Sequence, residues 1–376
     1  MESKKVLFAA TVVRLHINLF HQPYLRWFHE QGWQVDVAAN NDYDNPEDCV
    51  IPYCDHFYCM PFERSPYRTG NLKAWAQMKR LLDEQHYDII HCHTPMGSVI
   101  TRLAAGKARK YGTTVIYTAH GFHFFRGAPA VNWLVYYPVE RLLARRTDLL
   151  ITMNSEDYAR ARRFPVKRAE LVHGVGLDLA KFTPGDAAQR AAVRAELGLA
   201  EGDIFAVSVA NLIPRKNHIV LIRAVSKLKN PRLQLFICGE GTQEAELKQA
   251  VRDAGLERQI HFLGFREDIA RLCGSADLFL FTSLQEGLPV AVMEAMACGL
   301  PIIASRIRGI VDLIEEGEGG WLADPTDADG FAAAMREALA DPARCRTMAA
   351  HNLEKIDAYG TGPVLEEVTA LYREYM

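Results

Sequence analysis

Short apolar runs alternate with amphipathic stretches along this chain, and the alternation occurs twice. The first series is VLFAATV (6–12), QVDVAA (34–39), YDIIHCH (87–93), TVIYTAH (114–120) and DLLITMN (148–154). Helical patterns such as NLKAWAQMKRLLDEQ (71–85) and SVITRLAAGKARKYG (98–112) lie between them. Strands apolar on both faces, separated by helices, form a parallel sheet covered on both sides. The pattern weakens over 174–203, where Gly, Pro, Asp and Ala gather. It restarts with DIFAVSVAN (203–211), LQLFICGEG (233–241), IHFLGF (260–265), ADLFLFTS (276–283) and PIIAS (301–305). The expected architecture is α/β: two doubly wound Rossmann-like domains facing across a cleft and joined near 174–184. Ligands in such sheets bind beyond the carboxyl ends of the strands.

Composition narrows the function classes. A net charge of −3 and a pI near 6.5 give no basic surface for nucleic acid. The start, MESKKVLFAATVV, has no small-residue cleavage pattern, and His16 and Asn18 soon interrupt it. No run approaches the roughly 18 apolar residues of a membrane span, so a cytoplasmic protein is expected. Eight cysteines without a C-x-x-C spacing read as reduced thiols.

The stretch TSLQEGLPVAVMEAMACGLPIIAS (282–305) sets Glu286 and Glu294 eight apart in apolar surroundings. A carboxylate in such a place needs a partner. Glu286 falls in a loop after a strand, and Glu294 falls inside the helix that Pro289 would open. That helix end offers amides and a positive dipole to phosphate. Glu294 is suited to a diol, and Glu286 to a polar group beyond the phosphates. In NLIPRKNH (211–218), Arg215 and Lys216 follow a strand and suit a diphosphate. Gly239 and Gly241 in GEG read as a tight strand-to-helix turn, without a full dinucleotide fingerprint.

In the first half, HCHTP (91–95) and TAHGFHFFRG (118–127) end strands. His91 and His93 share a strand face but are too few for a metal, so no metal site is expected. His120, His123 and Arg126 either line a cleft or serve structure. Of two D-x-D triplets, Asp42–Asp44 lies in a polar loop and Asp327–Asp329 reads as a helix cap; neither is expected to hold metal. Residues 141–168 carry eight Lys/Arg against three Asp/Glu, after the amphipathic NWLVYYPVERLLARR (132–146). An anionic membrane surface and a packed helix with a solvated basic face both make that pattern.

EGLPVAVMEAMACGLPII, preceded in order by RKN, GEG, LGF and ADLFLFTS, resembles the signature of glycosyltransferase family 4, retaining enzymes of the GT-B fold. HTPMGSVITRLAA, YTAHGFHFFRGAP and ERSPY are similar to an exopolysaccharide or capsule branch of EpsD type. The resemblance implies an acceptor-side domain over 1–178, completed by a C-terminal helix at 358–376, and a nucleotide-sugar-binding domain over 179–357. It implies transfer of a hexose or N-acetylhexosamine from a nucleotide sugar, UDP-linked, to a lipid-linked or saccharide acceptor, without cofactor or metal.

Residue by residue, it implies that Glu286 holds donor-sugar hydroxyls, Glu294 the ribose, and Arg215 with Lys216 the diphosphate. The backbone around Phe265 would read the base, and Leu288 with Pro289 would present helix-end amides. His120 would face the reacting centre. Two departures stand out. VVRLHINLF replaces the family's Gly-Gly loop after the first strand, which turns His16 and Asn18 toward the acceptor, and Asn211 stands where many members carry Arg. A UDP-sugar epimerase and a catalytically silent nucleotide-sugar-binding module are the rival readings.

Overall fold

The computed structural model describes residues 3–376. They divide into two compact units: the chain up to Gly176 together with Thr361–Met376, and Leu177–Gly360.

The first unit contains β1 (Lys5–Val12), β2 (Gln34–Asn40), β3 (His56–Cys59), β4 (Ile89–His93), β5 (Thr114–Ala119), β6 (Leu149–Thr152) and β7 (Arg168–Leu171). They form one sheet in the order β3-β2-β1-β4-β5-β6-β7, and every pairing is parallel. Phe8 pairs with Val37 on one side and His91 on the other, which fixes the register at the sheet centre. The helix Thr361–Arg373 belongs to this unit, where the buried Tyr372 hydroxyl meets His91 Nδ1 at 2.5 Å.

The second unit contains β8 (Ile204–Val209), β9 (Leu233–Cys238), β10 (Ile260–Gly264), β11 (Leu278–Phe281), β12 (Ile302–Ser305) and β13 (Gly320–Ala323). Their order is β10-β9-β8-β11-β12-β13, again parallel throughout. The central strands are buried on both faces, as their unbroken apolar sequences require.

Both sheets reverse direction of growth at one place. In the first it is between β1 and β4; in the second, between β8 and β11. At such a switch point the loops leaving the two strands diverge and open a crevice. The segments leaving these strands carry His16 and Thr94 in the first unit and Arg215, Lys216 and Glu286 in the second.

The segment after β1 is a π-helix, Val13–His21, followed by the α-helix Gln22–Glu30. Most π-helices are single-turn bulges, so nine residues is long. Asp42 caps its start, accepting from the Arg14 amide at 2.6 Å and the Leu15 amide at 3.3 Å. The first D-x-D triplet therefore spends a carboxylate on a helix end. The second does likewise: Asp327 accepts from the Asp329 and Gly330 amides at 3.0 Å each.

Candidate functional site

In the second unit two loops are zipped together at the switch point. β8 runs into a 3-10 turn, Pro214–Lys216, and Asn217 then takes a left-handed backbone (φ 55°) that Asn tolerates better than most residues. Its side-chain Nδ2 donates to the Pro325 carbonyl at 2.7 Å. The loop after β11 binds this turn from the other side. Thr282 Oγ1 donates to the Lys216 and Asn217 carbonyls, and the Leu284 amide donates to the Arg215 carbonyl at 2.8 Å. The zipper sets Arg215, Lys216 and Glu286 against one another.

Glu286 is buried, and three groups converge on its Oε1: Lys216 Nζ at 2.6 Å, Ser283 Oγ at 2.6 Å and Arg215 Nη1 at 3.3 Å. Its carbonyl accepts from Arg308 Nε at 2.9 Å. Lys216 Nζ also lies 4.9 Å from the centre of the Phe281 ring. Burial lowers the Lys216 ammonium below the usual lysine range, and the Glu286 carboxylate opposes that shift. The ligand-free cations are thus partly neutralised by the acid that shares their site.

Glu294 stands differently. It is half-buried in the helix Val290–Ala297, and among the described residues no group hydrogen-bonds its carboxylate. Burial raises its pKa to about 7, with Lys181 pulling the other way. A carboxylate left open in apolar surroundings is a site waiting for donors. Pro289 caps this helix from an extended backbone (φ −76°, ψ 114°) instead of opening it. It has no N–H, so the open amides at this end belong to Val290 and Ala291.

The glycines explain how closely the loops approach. A Cβ on Gly239 would meet the Ala210 carbonyl oxygen at 2.1 Å, and one on Gly241 the Leu212 carbonyl oxygen at 2.4 Å. GEG therefore packs its backbone against the loop that bears Asn211. Phe265 is exposed, and its amide points to Glu240 Oε1 at 3.4 Å.

In the first unit a cavity of about 310 Å³ opens between the ends of β1 and β4, lined by His16, Arg64, Thr94, His123 and Tyr136 among others. Thr94 has φ 61°, a strained backbone for a β-branched residue, held by Thr11 through Oγ1···Oγ1 at 2.6 Å. The His123 ring stacks on Tyr136 at 4.6 Å. The expected acceptor-side residues separate here. His16 and His123 line the cavity. Asn18 instead lines another groove and donates to the Tyr43 hydroxyl at 2.8 Å and the Val50 carbonyl at 2.9 Å, which ties the π-helix to the neighbouring loop. Arg126 is exposed and does not line the cavity; its amide donates to Glu156 Oε1 at 2.7 Å.

His120 lies in a group that counting along the chain did not reveal. Ring nitrogens of His16, His21, His93 and His120 all fall within 4.8 Å of one another. Burial pushes His120 down to about 4, so its imidazole is neutral near pH 7. His91, the other histidine of β4, is committed elsewhere, to Tyr372 at 2.5 Å and Thr118 at 2.8 Å.

The sequence matches the glycosyl transferase 4-like family over residues 5–154 and the family of glycosyl transferases group 1 over residues 189–355. It is 39% identical to the protein EpsD of Bacillus subtilis (strain 168) over 378 residues, 100% of this chain and 97% of that one. The chain belongs to the group 1 glycosyltransferases. It is also 31% identical, over 70% of each chain, to the Escherichia coli UDP-Gal:alpha-D-GlcNAc-diphosphoundecaprenol alpha-1,3-galactosyltransferase. Among solved structures, Anabaena HepE in complex with UDP superposes with a TM-score of 0.81 at 20% identity, covering 99% of this chain and 100% of that one. The fold of this glycosyltransferase is therefore GT-B.

Three residues, Ser283 and Arg308 of the second unit and His21 of the first, carry no clear signal in the sequence. Ser283 precedes Glu286 by three residues in the same loop, and a hydroxyl after a buried strand was the available signal. Arg308 comes from a loop far along the chain, and nothing in SRIRGI announces it. His21 was passed over because five-residue spacing belongs to neither an α-helix nor a strand.

Proposed function

We propose that this glycosyltransferase moves a sugar from a UDP-linked donor to a lipid-linked or saccharide acceptor, with retention of anomeric configuration, in bacterial surface-polysaccharide synthesis. The observation that carries the reading is the pair of carboxylates in the second unit: Glu286 clasped by Lys216 and Arg215, and Glu294 open. Ribose hydroxyls would satisfy Glu294. Diphosphate entering beside Lys216 and Arg215 would draw these cations toward itself and release Glu286 to accept from hydroxyls of the donor sugar.

In the reaction the bond between the anomeric carbon and the diphosphate oxygen breaks, and negative charge grows on the phosphate. Arg215, Lys216 and the helix-end amides are arranged to stabilise it. The acceptor oxygen forms the new bond on the face the phosphate leaves, and its proton passes to a phosphate oxygen. Cavity residues of the first unit, with His16 and His123, are proposed to hold the acceptor. A thermal-shift screen of nucleotide sugars tests the donor class: stabilisation by UDP-sugars supports the reading, and indifference to every nucleotide contradicts it.

Ionisation of Glu294 gives a pH signature. Diol hydroxyls donate to the carboxylate, so binding favours its ionised form and releases a proton. Its pKa of about 7 in the free protein means that affinity for a UDP-sugar, whose diphosphate is ionised throughout, rises with pH. The expected gain from pH 6 to pH 8 is about tenfold by calorimetry. Glu294→Gln should flatten the profile. The stability effect has the opposite sense: with the folded pKa above the unfolded one, ionisation at rising pH costs the free protein, so the Gln variant is more stable at pH 8.

Fixed cations at the diphosphate make a magnesium or manganese requirement unnecessary. Adding either ion to chelator-treated enzyme should change turnover by less than about twofold. A large, reversible activation would contradict this.

The helix Ala130–Ala144 supports an acceptor drawn from a membrane. Val131, Leu134, Pro138, Val139 and Leu142 are exposed, and Glu140 turns inward to pair with Arg102 at 2.8 Å. What remains outside is apolar or cationic, with Arg141, Arg145 and Arg146 at its end. No helix of the described residues is long and apolar enough to cross a membrane, so contact would be peripheral. Each cation near an anionic surface contributes about 1 kcal/mol, screened by salt. Flotation should show binding to anionic vesicles that is lost on reversing Arg145, Arg146, Arg162 and Arg163 to Glu. Absence of binding even at low salt would leave a soluble acceptor as the reading.

A further inference from the structure

We infer that His16, His21, His93 and His120 form a binding site for one zinc-class divalent cation inside the first unit, apart from the sugar-transfer groups of the second. The four rings come from three places: the π-helix supplies His16 and His21, the end of β4 supplies His93, and the residue after β5 supplies His120. Ring centroids lie 3.8 Å apart for His21 and His93, 4.7 Å for His16 and His120, and 4.9 Å for His16 and His21.

The nitrogens themselves carry the argument. His16 Nε2, both ring nitrogens of His21, both of His93, and His120 Nε2 are buried without a hydrogen-bond partner. Buried polar atoms in native proteins are nearly always paired, and here one nitrogen from each ring lies within 4.8 Å of the other three, a group of four that calls for a common partner. A cation taking one nitrogen from each ring supplies it. Tetrahedral zinc at roughly 2.0–2.1 Å needs ligand nitrogens about 3.4 Å apart, so the nitrogens, now within 4.8 Å, would draw together while the closely spaced His21 and His93 rings rotate apart.

The π-helix is an independent sign. In an α-helix of 3.6 residues per turn, residues five apart point about 140° from each other. Hydrogen bonding from i to i+5 returns them to nearly the same side, which is how His16 and His21 come to face one spot. A rare helix form is thus used where it aligns two ligands.

Chemistry selects the cation. The cluster is all imidazole, with no carboxylate, and this favours zinc, cobalt, nickel or copper over magnesium or calcium. A closed four-ligand site is structural in kind: it would pin the π-helix to the ends of β4 and β5 and so shape the cavity that His16 lines.

The test uses the full chain without a polyhistidine tag, purified from zinc-supplemented medium. Elemental analysis should find one zinc per chain. After chelation, added Co2+ should give the intense visible absorption of tetrahedral cobalt, displaced by Zn2+ and indifferent to Mg2+. His120→Ala, at the half-buried ligand, should weaken cobalt binding by about tenfold or more, and His29→Ala, at an exposed histidine, should not. Protein isolated with less than about a tenth of an equivalent of metal and a cobalt spectrum like that of the aqueous ion overturns the inference, as does cobalt binding unchanged in His120→Ala. UDP-sugar binding to the same sample reports separately on the transferase reading.

Discussion

Replacing Glu286 with Gln should abolish sugar transfer while leaving UDP affinity unchanged or increased. In the free protein this carboxylate neutralises Lys216 and Arg215, at 2.6 and 3.3 Å. Removing its charge leaves both cations for the diphosphate, so nucleotide binding should not suffer. Turnover should fall by about 10²–10³-fold, the scale of losing one group that acts on the transition state. Gln keeps an oxygen for Ser283 and Lys216 and is the better test. Ala would strand a mostly buried Lys216 and cost about 3–5 kcal/mol of stability. Parallel kcat and UDP-binding measurements check the result. Turnover within twofold of the parent removes Glu286 from the mechanism, and an equal loss of binding and turnover makes it a loop-holding residue.

Lys216→Ala should damage binding and turnover together. Its ammonium is set by three contacts at once: Glu286, the Phe281 ring and the zipped loops. Loss of one charged hydrogen bond to diphosphate costs about 1.5–3 kcal/mol, or roughly 10–100-fold in affinity, and the loss in turnover should be larger because charge grows on the phosphate during reaction. Lys216→Arg should recover little, since a planar guanidinium does not fit a seat made for a compact charge between a ring and a carboxylate. Full recovery in the Arg variant would show that charge alone matters there.

The legible part of this protein was its central strands. β1, β4, β5, β8, β9 and β11 are buried on both faces, and continuous apolar runs mark them in the sequence. The strands that escaped, β3, β7 and β13, each lie at a sheet edge and have only four residues. An edge strand of HFYC or RAEL buries too little to leave a pattern. The candidate site was legible wherever one residue type implied a need, as with two carboxylates in apolar surroundings. It was illegible wherever partners came from distant loops, as with Arg308. The histidine cluster was hidden for another reason: His16 and His21 are brought to one side by a π-helix, and sequence periods of 2 and 3.6 give no hint of one.

The central claim is that this chain activates a UDP-sugar for transfer through the groups around Glu286 and Glu294. Following a UDP-sugar with the purified protein by NMR tests it most directly. In the absence of acceptor the account predicts slow release of UDP, with the freed sugar first appearing in the anomeric configuration of the donor. Conversion to an epimeric UDP-sugar, or a nucleotide sugar that binds and stays unchanged even with an acceptor extract, would contradict it.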